Sequence, residues 1–157
     1  MKKILSFLSV ALLVFSFSST VALAKENQSP NLQQSVEHLS NGGYFVTTIE
    51  SDVPDYSSRL SRASSSKSGS KTATYYNSKN VAQWSIKVTG KFTYTGSSSS
   101  ATSSSKTLTY YVSGCSSSSN SAYTSGKSAI AYATVKCAGL STYKSVTLSC
   151  SANGTLS

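Results

Sequence analysis

Residues 81–95 read VAQWSIKVTGKFTYT, and their parity decides the fold. Trp84, Ile86, Val88, Phe92 and Tyr94 fall on even positions, with Ser85, Lys87, Thr89, Lys91 and Thr93 between them. Successive side chains of an extended chain point to opposite faces, so this spacing builds one apolar face and one wet face. Trp84 lies on the strongest apolar face and is expected in the core rather than on a ligand platform. Gly90 falls on the apolar parity, which makes it the natural place for a bulge or bend.

Upstream, TATYY (72–76) is a second strand, separated from the first by the four-residue turn Asn77-Ser78-Lys79-Asn80. Downstream, Leu108, Tyr110 and Val112 repeat the alternation. AIAYATVKC (129–137) is apolar or small on both parities, which predicts a central strand. Val146, Leu148 and Cys150 mark one face of a last strand. Two serine-rich stretches, from Gly96 to Ser105 and from Gly114 to about Lys127, read as loops.

Towards the N-terminus, residues 51–71 carry Pro54, Gly69 and many serines, and read as a Ser-rich loop or linker. In residues 35–50, Asn41-Gly42 between two apolar-containing runs signals a hairpin. The competing reading is a helix over 31–40, using Leu32, Val36 and Leu39. Residues 25–34 form a flexible lead-in. The sum is seven or eight short strands, and it predicts one antiparallel β-sandwich domain over 35–157, immunoglobulin-like in broad architecture.

Composition agrees with that reading. The 157 residues include 39 Ser and 16 Thr, together about 35% of the chain, while charged residues make up 12%. Ten tyrosines and one tryptophan argue against a disordered chain. Serine and threonine suit outer strand faces and loops, so their abundance requires no chemistry.

Residues 1–24 have the three parts of a secretory signal peptide. Lys2-Lys3 give a positive start, Ile4–Phe17 an apolar stretch, and Ala22-Leu23-Ala24 a small-x-small cleavage site. The apolar stretch is short for a transmembrane helix. The expected product starts at Lys25, is secreted into the extracellular space and keeps no transmembrane segment.

The formal charge of the whole chain is +9. All five acids (Glu26, Glu37, Glu50, Asp52 and Asp55) precede residue 56; two arginines and nine lysines follow it. A field of one sign attracts anionic polymers and surfaces. Lys87, Lys91, Lys106 and Lys127 are the candidate contacts for an anionic cell-wall polymer or glycan. The plainer alternative is that scattered lysines keep strand faces soluble and edges unpaired. Nothing points to a specific nucleic acid.

Three cysteines in an exported chain predict one bridge and one free thiol. If 106–113 and 143–151 both flank 129–137 antiparallel, Cys115 and Cys150 come to the same end, so the expected disulfide is Cys115–Cys150, with Cys137–Cys150 and Cys115–Cys137 as the alternatives. A zinc site is a poor reading, because no CxxC spacing exists and the one histidine is remote.

No enzyme is expected. Residues 56–157 lack Asp, Glu and His, so neither a carboxylate pair nor a histidine base is available there. No GxSxG, HExxH or phosphate-binding glycine loop occurs. His38 reads as a surface residue, and its pairing with Cys137 has no local signature. No catalytic residue, cofactor or metal is assigned. The doublets Tyr75-Tyr76 and Tyr110-Tyr111 each turn one ring outwards, so Tyr76 and Tyr111 are candidates for stacking on sugars or bases. The alternative is cross-strand aromatic pairing that stiffens a sheet.

TATYYNSKNVAQWSIKVTGKFTYTGSSS (72–99) and VTLSCSANGTLS (146–157) resemble a group of small secreted β-rich proteins of Gram-positive, clostridia-like bacteria. The likeness spans about residues 40–157. It implies an exported β domain and carries no catalytic residue across. Two functions remain: a non-enzymatic module binding anionic cell-envelope or extracellular polymer through a basic surface, or a secreted antimicrobial or toxin-like effector. The second would call for a membrane-active amphipathic helix or an exposed apolar strand, and neither is visible.

Overall fold

A computed structural model describes residues 33–51 and 64–157. Eight strands run in chain order: β1 (Gln33–His38), β2 (Tyr44–Ser51), β3 (Ser65–Tyr76), β4 (Ala82–Tyr94), β5 (Ser99–Tyr110), β6 (Cys115–Ser125), β7 (Ser128–Cys137) and β8 (Leu140–Ser149). They form a five-stranded sheet, β1-β2-β3-β4-β5, and a three-stranded sheet, β6-β7-β8. Every neighbouring pair is antiparallel. The two sheets pack face to face as a β-sandwich. Each is a simple meander, so the likeness to immunoglobulin domains lies in the two layers and not in a Greek-key order.

The predicted parity of β4 is realised. Trp84, Ile86, Val88 and Phe92 are buried between the sheets. From β7 they meet Ala129, Ala131, Ala133 and Val135, also buried. Large rings on one sheet therefore face small side chains on the other, which lets the layers interdigitate without voids. The Trp84 indole Nε1 donates to Thr142 Oγ1 on β8 at 2.9 Å, so its one polar atom is satisfied inside the core. Phe45 approaches the indole edge-on, with centroids 5.7 Å apart.

Gly90 is not itself a bulge. It faces the core, and a Cβ there would lie 2.7 Å from the Phe92 ring and 2.8 Å from Ala129 Cβ. The irregularity falls one residue on, between Lys91 and Phe92, where β5 carries an extra residue, Thr102. Its hydroxyl donates to the Lys91 carbonyl at 3.1 Å.

The serine-rich stretches are strands, which corrects the expectation of loops at 96–105 and 114–127. They become β5 and β6, the outermost strands at one side of the two sheets. Inside the sandwich their hydroxyls do structural service. Ser104 Oγ donates to the Ile130 carbonyl at 3.2 Å and Ser99 Oγ to the Cys150 carbonyl at 2.6 Å. The stretch 51–71 is likewise corrected: β2 runs to Ser51 and β3 begins at Ser65. Residues 52–63 lie outside the described residues, as do the expected signal at 1–24 and residues 25–32 of the lead-in. The hairpin reading of 35–50 holds and the helix over 31–40 does not, because β1 pairs with β2 from Gln33 to His38. Gly42 takes a φ of 80° in the connecting turn, and Asn41 Oδ1 accepts from the Gly43 amide at 2.9 Å.

The bridge expected as Cys115–Cys150 is Cys115–Cys137. The partner of β7 is β6, not residues 106–113, so Cys115 and Cys137 stand directly opposite in the register. Their Cα atoms are 4.3 Å apart, close to the spacing of a non-hydrogen-bonded antiparallel pair. The free thiol is Cys150, fully buried, and burial pushes its pKa up. With Cys137 in the bridge, no Cys137–His38 pair exists.

Candidate functional site

The candidate lysines are spread over the sandwich. Lys87 and Lys91 lie on the outer face of the five-stranded sheet, as their parity predicts. Lys87 is not free: its Nζ is 3.3 Å from Glu50 of β2. Lys106 shares the inner face with Leu108, opposite Val88, and is half-buried. Lys127 is exposed in the tight turn between β6 and β7, where its carbonyl accepts from the Cys150 amide at 3.0 Å.

The three-stranded sheet lies over β3, β4 and β5, and the inner face of β1 and much of β2 projects beyond it. Lys144 of β8 reaches across this boundary. Its ammonium pairs with Glu37 of β1 and sits 4.8 Å from the Phe45 ring centroid. Under the overhang, Gln33, Ser35, Thr47, Ile49 and Lys71 line a shallow pocket of about 200 Å³. The Lys71 amine is held below its ordinary range by burial first and by the charge of Lys144 second. Ser157 closes its rim, so the pocket offers one side-chain cation, amides, hydroxyls and the end of the chain.

Both glutamates of the described residues are thus paired with lysines from beyond residue 56. Seven of the nine lysines there pair with none. Among the described residues no three His, Cys, Asp or Glu come together as a metal site.

Of the stacking candidates, Tyr76 is engaged by Tyr44, with rings nearly parallel at 8° and centroids 5.1 Å apart. His38 extends the same row at 5.6 Å from Tyr44. This is the cross-strand pairing reading. Tyr111 is exposed, and its hydroxyl shares a hydrogen bond with Ser85 Oγ at 3.0 Å. The Tyr76 ring is thus covered on one face by Tyr44, while the Tyr111 ring stays exposed. Three further tyrosines, Tyr123, Tyr132 and Tyr143, stand on the outer face of the three-stranded sheet. The alternation Ser119-Ser121-Tyr123-Ser125 is the sequence signal for this face, and it is weak because serine suits a loop equally well.

Compared with protein-family models, curated proteins and solved structures, the chain matches none of them.

Proposed function

We propose that this chain is a secreted, non-enzymatic β-domain that associates with anionic cell-envelope or extracellular polymer through a diffuse basic surface. One observation carries the reading. Nine lysines against two glutamates leave the described part of the sandwich at a net +7, and both glutamates are already committed to ion pairs. Lys79, Lys91, Lys127 and Lys136 are exposed on different faces and turns. Such a distribution suits a flexible polyanion that wraps the domain better than a small ligand read by a shaped pocket.

Retention on isolated Gram-positive cell walls tests it. Exposed charges are screened within about 8 Å at physiological salt, so retention should fall steeply between about 50 and 500 mM NaCl. Changing Lys79, Lys91, Lys127 and Lys136 together to Gln should weaken it further and leave the melting temperature nearly unchanged, since these side chains hold no partner. No retention at low salt would refute the reading.

A further inference from the structure

The outer face of the three-stranded sheet carries a line of rings. Tyr123 of β6 pairs with Ile130 of β7, Tyr132 of β7 pairs with Ser121 and Ser145, and Tyr143 of β8 pairs with Thr134. Measured along β7, the rings therefore stand at the levels of residues 130, 132 and 134, one strand further across at each step. They form one straight diagonal. Diagonal neighbours in a sheet are about 7–8 Å apart, so the line is about 15 Å long. Tyr132 and Tyr143 have ring centroids 6.3 Å apart and planes inclined at 38°. Tyr123 is 48% exposed and Tyr143 60%. None of the three phenol hydroxyls has a hydrogen-bond partner among the described residues.

What surrounds the rings narrows the ligand. Ser121 and Ser145 flank Tyr132 in its row, Thr134 lies beside Tyr143, and Thr147 lies beyond Ile130. Among the described residues no carboxylate stands on this face, and its one cation is Lys136, in the row beyond Tyr143. A nucleic acid stacked on these rings would need cations alongside to meet its phosphates. A lipid surface would need a continuous apolar patch, which the interleaved hydroxyls interrupt. A pyranose ring has both required parts: a C–H face that packs on an aromatic ring, and a rim of hydroxyls that exchange hydrogen bonds with serine and threonine.

We propose that Tyr123, Tyr132 and Tyr143 form a binding platform for a hydroxyl-rich polysaccharide chain, laid along the diagonal with sugars stacked on the rings. The 38° inclination between the Tyr132 and Tyr143 rings suits a chain that turns from one sugar to the next. Of the exposed lysines only Lys136 borders this platform, and the proposal does not rest on the anionic-polymer reading.

Co-sedimentation of the chain with three insoluble probes (cellulose, chitin, and peptidoglycan stripped of teichoic acid) tests the platform. Binding to at least one probe is expected, changing little between about 50 and 500 mM NaCl because stacking is not screened. Tyr123→Ala and Tyr143→Ala should each weaken it by about tenfold, as expected for losing one stacked ring. Tyr143→Phe keeps the ring and should retain most of the binding. Both alanine changes are on an exposed face, so unchanged melting temperatures will show that folding is intact. Binding to none of the probes overturns the proposal, as does binding that the alanine variants leave untouched. Binding removed by salt but not by the tyrosine changes also overturns it, while favouring the lysines. A dimer seen by analytical ultracentrifugation and dissolved by Tyr143→Ala would assign the face to a second copy of the chain instead.

Discussion

β4 and β6 are both long antiparallel strands, yet different things make them strands. β4 brings its own reason: four large apolar side chains on one parity, all buried. β6, CSSSSNSAYTS, contributes no large apolar side chain to the core; its inward Ala122 and Cys115 are only partly buried. It is held by the backbone ladder to β7 and by a disulfide at one end. A strand at the centre of a sandwich is specified by its side chains, and one at the edge can be specified by its neighbour.

The largest effect should come from the side chain that does most for β4. Trp84 is fully buried, touches Phe45 and Tyr75, and donates across the sheets to Thr142. Trp84→Ala should cost about 3–5 kcal/mol, a large share of the stability of a domain this size. Urea unfolding would measure it. A variant as stable as the wild type would mean that β4 does not depend on its apolar face.

The next effect belongs to β6. Cys115 and Cys137 are 22 residues apart, and a bridge closing a loop of that length contributes about 3 kcal/mol by restricting the unfolded chain. Cys115→Ser together with Cys137→Ser should lower stability by up to that amount. It should also raise amide exchange in β6 well above that in β4, because an edge strand without its bridge keeps only one ladder. Peptide mapping should find Cys115 joined to Cys137, with Cys150 alkylated only after unfolding. Equal exchange in the two strands would erase the contrast between them.

The same contrast explains what could be read from the sequence. Parity is legible when the two faces differ, as Ile86-Lys87-Val88-Thr89 do, and β4 is readable on that basis; the central position of β7 is readable for the opposite reason, apolar or small residues on both faces. Serine suits an exposed strand face and a loop equally well, so Ser116 to Ser121 offer no contrast and β6 reads as a connection. The expected Cys115–Cys150 pair depends on the same stretch, since without β6 residues 106–113 become the neighbour of β7. The ion pairs Lys87–Glu50 and Lys144–Glu37 join residues 37 and 107 positions apart. They depend on sheet order and on how far one sheet overlaps the other, which local patterning does not encode. The tyrosine diagonal needed the registers of two strand pairs at once.

The smallest effect tests where the covered interior stops. Along one row of the inner face, Val88 is fully buried while Lys71, its partner on β3, is only half-buried at the edge of the overhang. Burial and the charge of Lys144 lower the Lys71 pKa from 10.5. The unfolded chain therefore holds the Lys71 proton up to a higher pH than the folded chain does. Where the unfolded state binds more protons, stability rises with pH, so Lys71 is unfavourable below its folded pKa and the penalty lifts as pH climbs through that value towards 10.5. Lys71→Met removes the charge and keeps an unbranched chain. It should melt slightly above the wild type at about pH 7, with the gap closing as the pH approaches about 10. Every other ionisable group is common to the two proteins, so the difference between the two melting curves isolates this one amine. A gap that stays constant with pH would mean that Lys71 keeps its full hydration, and that the interior ends at Val88 with no transition across β3.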